Sequence, residues 1–214
     1  MRFTRLELEE FRGHEVDDLV GPGLRLLIVG INPGLWTAAV QTHFAHPTNR
    51  FYPALAAAGI TDYEIDRVAG MSDADRAHLV ARGVGITNLV RRATARASEL
   101  SPGELREGGE RLVRFVAEHR PRVVAIAGIT AYREAFGERG AVLGRQPATL
   151  ESASRWAGAA LWVVPNPSGL NAHETVATLA AAYAAPAAEA GVAAADVTSA
   201  TVGRPASDKG APDA

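Results

Sequence analysis

Two apolar runs in this chain end in an asparagine followed by a proline: "GINPG" at residues 30–34 and "NPSGL" at 166–170. The first opens a stretch, 32–51, that carries amide, imidazole, aromatic and guanidinium side chains but no Asp, Glu, Cys or Lys. The chemistry open to such a stretch is narrow. An Asn can hold a water through its amide oxygen, but it is a poor proton acceptor. It suits a reaction whose leaving group departs largely unaided. "GINPG" matches neither G-x-G-x-x-G nor G-x-x-x-x-G-K-[ST], so it is not a phosphate cradle. Taken alone, each Asn-Pro motif reads equally well as a turn, because Pro fixes φ and Gly accepts a positive one. Placed at the ends of two strands of one sheet, they would face each other across a single cleft.

The other polar groups are less specific. "HFAHP" spaces His43 and His46 three apart in a loop with no carboxylate beside them, a weak pattern for zinc. No metal and no cofactor is expected. Phe44, between the two, reads as core or as a stacking face for a planar ligand. "RRATAR" supplies Arg91, Arg92 and Arg96, which are either a solvated surface or phosphate contacts. "TNRFY" at 48–52 reads as a helix start, capped by Thr48 or Asn49, with Phe51 and Leu55 facing the core.

Composition removes whole classes of mechanism. The 214 residues include no Cys, which excludes disulfides, thiolate nucleophiles and Cys-ligated zinc or iron–sulfur clusters. The one lysine is Lys209, so a Schiff base with an internal lysine is not expected, and Arg cannot replace it. The chain carries net −2, of which residues 1–20 hold −3 and residues 185–214 hold −2. The body between is therefore +3, with Arg as its only cationic residue apart from histidine, which suits phosphate contact without requiring it. No apolar run reaches the ~18 residues that a membrane span needs. The acid-bearing N-terminus has no apolar signal segment, so the expectation is a cytoplasmic protein with no membrane partner.

The elements that must position these groups can be read from hydrophobic pattern. Apolar, β-branched runs at 24–31, 122–128 and 160–165 predict buried strands, and 83–90 predicts a shorter one. Helices are expected at 50–58, 73–82, 101–120, 129–136 and 173–184. The helix at 101–120 has Ser101 as N-cap, Pro102 at the first position and Glu104 as the return partner of a capping box, with Leu105, Leu112, Val113 and Val116 on one stripe. Alternating strands and helices predict an α/β fold: three layers, α/β/α, around a mostly parallel four-stranded sheet. Its sites should lie beyond the C-terminal ends of the strands. The expected division is an N-terminal extension (1–20), one domain (21–185), and a disordered Ala/Gly/Pro-rich tail (186–214).

Taken together, "GPGLRLLIVGINPG" (21–34), "FAHPTNRFY" (44–52), "GITNLVRRATARASEL" (85–100), the strand at 122–128 and "VVPNPSGL" (163–170) resemble the mismatch-specific uracil/thymine DNA glycosylase family, a branch of the uracil-DNA glycosylase superfamily. The resemblance covers about residues 20–184. It implies a monomeric, monofunctional enzyme of base-excision repair. Its substrate is double-stranded DNA with a G·U-type mismatch or a damaged pyrimidine, which must leave the stack before its glycosidic bond is accessible. By this resemblance Asn32 positions the attacking water. Backbone N–H groups near Ile31 and Phe44 bind the base's carbonyl oxygens, and Phe44 stacks on the base. Gly34, Thr37, His43, Asn88 and Asn166 complete the pocket, with the Thr37 methyl beside the pyrimidine C5 and the Asn88 amide on the N3/O4 edge. Ser168, Gly169, Leu170 and Asn171 wedge the duplex and hold the orphaned guanine. Uracil, ethenocytosine and thymine are all candidate bases. Two rival readings remain open: a non-catalytic or weakly catalytic lesion-binding protein on the same fold, and a small-molecule hydrolase using His43 or His46 with a metal.

Overall fold

The computed structural model describes residues 3–192. Five strands form one sheet: β1 (Leu26–Gly30), β2 (Val84–Asn88), β3 (Val123–Ala127), β4 (Gly144–Arg145) and β5 (Ala160–Val164). Their order is β2-β1-β3-β5-β4. The first four in that order run parallel, and only the two-residue edge strand β4 is antiparallel to β5. The four parallel strands are those the apolar runs predict; β4 is an addition, too short to leave a period in the sequence. Each parallel pairing needs a crossover, and helices supply it.

Among the described residues eight α-helices surround the sheet: α1 (Arg5–Glu9), α2 (Leu35–Ala39), α3 (Phe51–Ala57), α4 (Asp73–Ala81), α5 (Pro102–His119), α6 (Ile129–Phe136), α7 (Leu150–Arg155) and α8 (Val176–Ala190). Alternation along β1 divides the core in two. Leu26 and Ile28 join Phe51, Leu55, Leu179 and Tyr183 on one face. Leu27 and Val29 join Leu112, Val116 and Tyr132 on the other. This is the expected three-layer arrangement, with α3, α4 and α8 on one side and α5 and α6 on the other.

Local rules explain the longest crossover helix. Ser101 Oγ accepts from the Glu104 N–H, and the Glu104 carboxylate returns to the Ser101 N–H at 2.9 Å. Mid-helix, Gly108 and Gly109 each cost about 1 kcal/mol of helix propensity relative to Ala. Packing explains them. A Cβ on Gly108 would lie 2.4 Å from the Leu89 carbonyl oxygen, and one on Gly109 would lie 2.8 Å from that of Ala135. Gly108→Ala should therefore destabilise the chain by about 1–3 kcal/mol, the range for overpacking a core, despite its better propensity. Urea unfolding measures this; an unchanged or raised midpoint would contradict the close approach of α5 to the β2 exit.

One boundary differs from expectation. Helix α8 runs to Ala190, past the end expected at 184, with Pro186 inside it and Val192 buried beyond. The first residues of the expected tail, 186–192, are thus packed; residues 193–214 lie outside the described residues. The first residues are also docked. Leu19 pairs with Ile86, and Val16 is buried with Leu35, Ala38 and Ala93.

Candidate active site

The C-terminal ends of β1, β2, β3 and β5 open onto a cleft of about 700 Å³. Its lining includes Asn32, Phe44, Asn88, Gly128, Asn166 and Leu170. The cleft lies where chain order reverses between β1 and β3, the usual ligand position in an open parallel sheet. The two Asn-Pro loops therefore share one cavity. A smaller hollow of about 370 Å³, beside Tyr132, Gln146 and Trp156, contains none of the site asparagines.

Asn32 leaves β1 with its amide nitrogen fixed three ways: to the Thr94 hydroxyl at 2.7 Å, the Pro33 carbonyl at 3.0 Å and the Arg92 carbonyl at 3.2 Å. Thr94 in turn donates to the Arg96 carbonyl at 2.8 Å, so its oxygen is oriented to accept from Asn32. The Asn32 Oδ1 has no partner among the described residues, and it is the atom available to a water. This network explains the missing acid. A carboxylate at position 32 would bring an acceptor against two carbonyl oxygens, whereas an amide donates to both.

The rest of the pocket floor is locked from behind. Asn88, only 5% exposed at the end of β2, places Nδ2 3.0 Å from His43 Nδ1. The other ring nitrogen of His43 lies 3.0 Å from the Asp17 carbonyl. Both imidazole nitrogens are thus occupied, which argues against His43 as a metal ligand. The buried Tyr52 hydroxyl donates to the His43 carbonyl at 2.9 Å. Phe44 follows in the left-handed region, with φ of 56°, an uncommon conformation for an aromatic residue. Its ring stacks on Phe51 with centroids 4.1 Å apart, and its N–H has no acceptor among the described residues. Thr37 is buried, and its hydroxyl accepts from the Ala45 N–H at 3.3 Å. Gly30 leaves room for this grouping: a Cβ there would lie 2.3 Å from Asn88 Oδ1 and 3.0 Å from the Phe44 ring.

Burial holds the His43 imidazole below its ordinary pKa of 6.5; the Asp17 carbonyl and Asp18 oppose the shift, and Arg76 and Arg91 add to it. The unfolded chain, titrating near 6.5, then binds more protons than the folded one as pH falls. The neutral ring's contribution to stability is complete above about pH 6.5 and is lost as pH falls through the folded value. His46, also lowered by burial, acts in the same direction. Thermal unfolding should therefore show Tm falling below about pH 6.5, with a shallower fall in His43→Gln. Equal slopes in the two proteins would remove His43 from the pH dependence.

The second loop is built around Asn166 and Arg50. Asn166 Oδ1 accepts from the Ser168 N–H at 3.0 Å, and its carbonyl accepts from Asn171 Nδ2 at 3.1 Å. Arg50 Nη2 donates to the Ser168 and Asn171 carbonyls, both at 3.0 Å, and Nη1 donates to the Glu174 carbonyl. Gly169 packs on Thr48, where a Cβ would lie 2.3 Å from the Thr48 hydroxyl oxygen. Leu170 stands 89% exposed at the tip. Arg50 is the residue that sequence reading missed: its partners are backbone carbonyls more than a hundred positions away, and no side-chain motif signals them. The cap expected at Thr48 or Asn49 does not form: Arg50 is the N-cap of α3 with no side-chain cap bond, and Asn49 Oδ1 instead accepts from the Phe51 N–H at 2.9 Å in the turn before the helix.

The arginines of the run differ in their partners. Arg91 faces Glu15 at 2.8 Å and Asp18 at 3.5 Å, and Arg92 is paired with Glu104. Two of the three arginines expected as phosphate contacts thus face acids of the same chain. Arg96 lines the cleft and has no side-chain ion pair among the described residues. Trp36 points away from the lining, donating to the Val68 carbonyl at 3.1 Å and packing edge-on against Phe3. Glu174 is the one carboxylate residue among those lining the cleft, and its Oε2 accepts from the Thr178 hydroxyl at 2.7 Å.

Comparison with known proteins adds two findings. Residues 18–186 match the family model described as the uracil DNA glycosylase superfamily. Among solved structures, the chain is similar to a candidate uracil DNA glycosylase from Methanosarcina acetivorans determined by solution NMR. The two are 16% identical, with a TM-score of 0.48 over 81% of this chain and 98% of that one.

Proposed function

The chain belongs to the uracil DNA glycosylase superfamily, and we propose that it is a monofunctional, metal-independent DNA glycosylase acting on uracil in mismatched double-stranded DNA. The observation that carries this reading is the Asn32 amide, tethered by its nitrogen with its oxygen left for a water, in one cleft with Phe44 and Asn88. The target nucleotide rotates out of the stack into the cleft. The N1–C1′ bond then breaks, and its electron pair leaves on N1, spreading to the base's carbonyl oxygens. The Phe44 N–H is a donor for that developing charge, as in an oxyanion hole. The sugar becomes oxocarbenium-like and is favoured by the neighbouring phosphates. The water beside Asn32 Oδ1 attacks C1′, and its proton passes through solvent to the released uracil anion, leaving an abasic site and neutral uracil. An electrophile this reactive needs a positioned water more than a strong base, in keeping with a site that has an amide where an acid might be expected.

Leu170 is the proposed wedge, filling the space the flipped nucleotide leaves. Leu170→Ala should slow uracil release from duplex DNA about tenfold, equivalent to ~1.4 kcal/mol of the unstacking cost that the wedge offsets. Release from a single strand should change little. Comparison of single-turnover rates on the two substrates checks this, and equal slowing on both would contradict the wedge role. The function itself is tested by a panel of fluorescent duplexes differing only in the base opposite guanine: uracil, thymine, ethenocytosine or cytosine, each in EDTA. The expected result is base release fastest for uracil and undetectable for cytosine. Tight binding with no release from any duplex would replace the enzyme with a lesion-binding protein.

A further inference from the structure

We propose that the N-terminal segment fixes the direction in which Asn88 reads a base, acting through the imidazole of His43. The proposal rests on the glycosylase reading of the cleft. The Asp17 carbonyl can only accept a hydrogen bond, so the nitrogen facing it, His43 Nε2 at 3.0 Å, must carry the proton. A neutral imidazole has one N–H, which leaves Nδ1 as an acceptor. Nδ1 faces Asn88 Nδ2 at 3.0 Å. One of the two Nδ2–H bonds of Asn88 is therefore engaged by His43, which fixes the amide's orientation, and Oδ1 lies in the space that Gly30 leaves open. An acceptor there pairs with the N3–H of uracil or thymine and repels the N3 lone pair of cytosine. The opposite tautomer would reverse the amide and with it the preference.

The segment that supplies this carbonyl is firmly seated. Leu19 and Ile86 exchange backbone hydrogen bonds of 2.9 and 2.8 Å, and the Thr87 hydroxyl donates to Asp18 Oδ1 at 2.5 Å. Asp18 also lies 3.5 Å from Arg91 and 3.8 Å from Arg111. Further up, Gly13 and His14 bond to both sides of Ala93 at 2.9 and 2.8 Å, next to the Thr94 that holds Asn32. Residues 13–19 thus brace both site asparagines from outside the cleft. Asp17 acts through its main chain, so its side-chain identity carries no trace of the role.

Two measurements test the relay. Nitrogen-15 NMR of the imidazoles in the full chain at neutral pH should find His43 as the Nε2–H tautomer; an Nδ1–H tautomer or an imidazolium overturns the proposal. The second readout is the ratio of uracil to N3-methyluracil release opposite guanine, because the methylated base cannot donate to Asn88 Oδ1. His43→Leu should lower that ratio about tenfold, the worth of one neutral hydrogen bond. Both rates falling equally would make His43 a packing residue and overturn the relay. Asp18→Asn, which keeps the volume but loosens the segment, should lower the ratio in the same direction, and an unchanged ratio in a folded Asp18→Asn protein also overturns it. Absence of release from every duplex by the wild-type chain would instead overturn the glycosylase reading, and the tautomer measurement, which needs no turnover, keeps the two failures apart.

Discussion

Asn32→Ala should reduce single-turnover uracil release from a G·U duplex by about 10³-fold, in the range for losing one positioned polar group at a reacting centre. Duplex binding should stay within a few-fold, because Leu170, the proposed wedge, and Arg96, the arginine that lines the cleft, are untouched. The structure makes the expectation specific. Asn32 has three acceptors within reach of its nitrogen and no partner on its oxygen among the described residues, so the substitution removes the proposed water-holding oxygen without removing a packing residue. The three abandoned acceptors are two carbonyls and a hydroxyl at a cleft wall, where water can replace the lost donor at modest cost in stability. Asn32→Asp should be no better than Ala. It restores an acidic oxygen but sets carboxylate against carbonyl, which moves the side chain away from the Arg92 and Pro33 oxygens. Release at wild-type rate by either variant would take Asn32 out of the mechanism.

Gly30→Ala is the second large effect expected. The new methyl would lie 2.3 Å from Asn88 Oδ1 and 3.0 Å from the Phe44 ring, so both must shift. Neither has easy room: Asn88 is held by His43, and Phe44 by its stack on Phe51. A displacement of about 1 Å in groups that position a reacting base can cost about 10²-fold in rate. The loss should appear in base release on every substrate, with little change in duplex binding, because the methyl lies on the pocket floor and not on the DNA-facing rim. Tm should fall modestly. An unaltered rate would mean that the pocket has slack beneath the base, which the buried Asn88 and His43 contradict.

The sequence was most legible where periodicity is strong. Continuous apolar runs located β1, β3 and β5, whereas β2, which carries Thr87 and Asn88, left a shorter and weaker run. The capping box at Ser101 located the start of α5 to the residue. Less was legible where elements are too short for a period: α1 and α2 span five residues each, and β4 only two. The Ala-rich stretch around Pro186 looked like a tail because Ala carries little apolar signal, yet Ala187 and Ala190 are buried against the sheet layer.

In the site, side-chain chemistry was readable and its scaffolding was not. The two Asn-Pro motifs pointed to one cleft, and Asn32, Phe44, Asn88, Asn166 and Leu170 all line it. Arg50 and Asp17, in contrast, work on or through main-chain carbonyls, which leave no pattern in residue types. The ion pairs that engage Arg91 and Arg92 involve Glu15, Asp18 and Glu104, remote in sequence for the first and separated by a loop for the last. A charge run reveals its sign but not its partners.

The most direct test of the central claim is a single-turnover assay of wild-type chain and Asn32→Ala on one G·U duplex in EDTA, with free uracil and strand integrity measured together. The wild type should release uracil stoichiometrically and leave an abasic site in an unbroken strand, and the variant should bind the duplex but leave the base in place. Release that stops in EDTA, a strand cut by the protein itself, or an Asn32→Ala variant as fast as the wild type would contradict the claim.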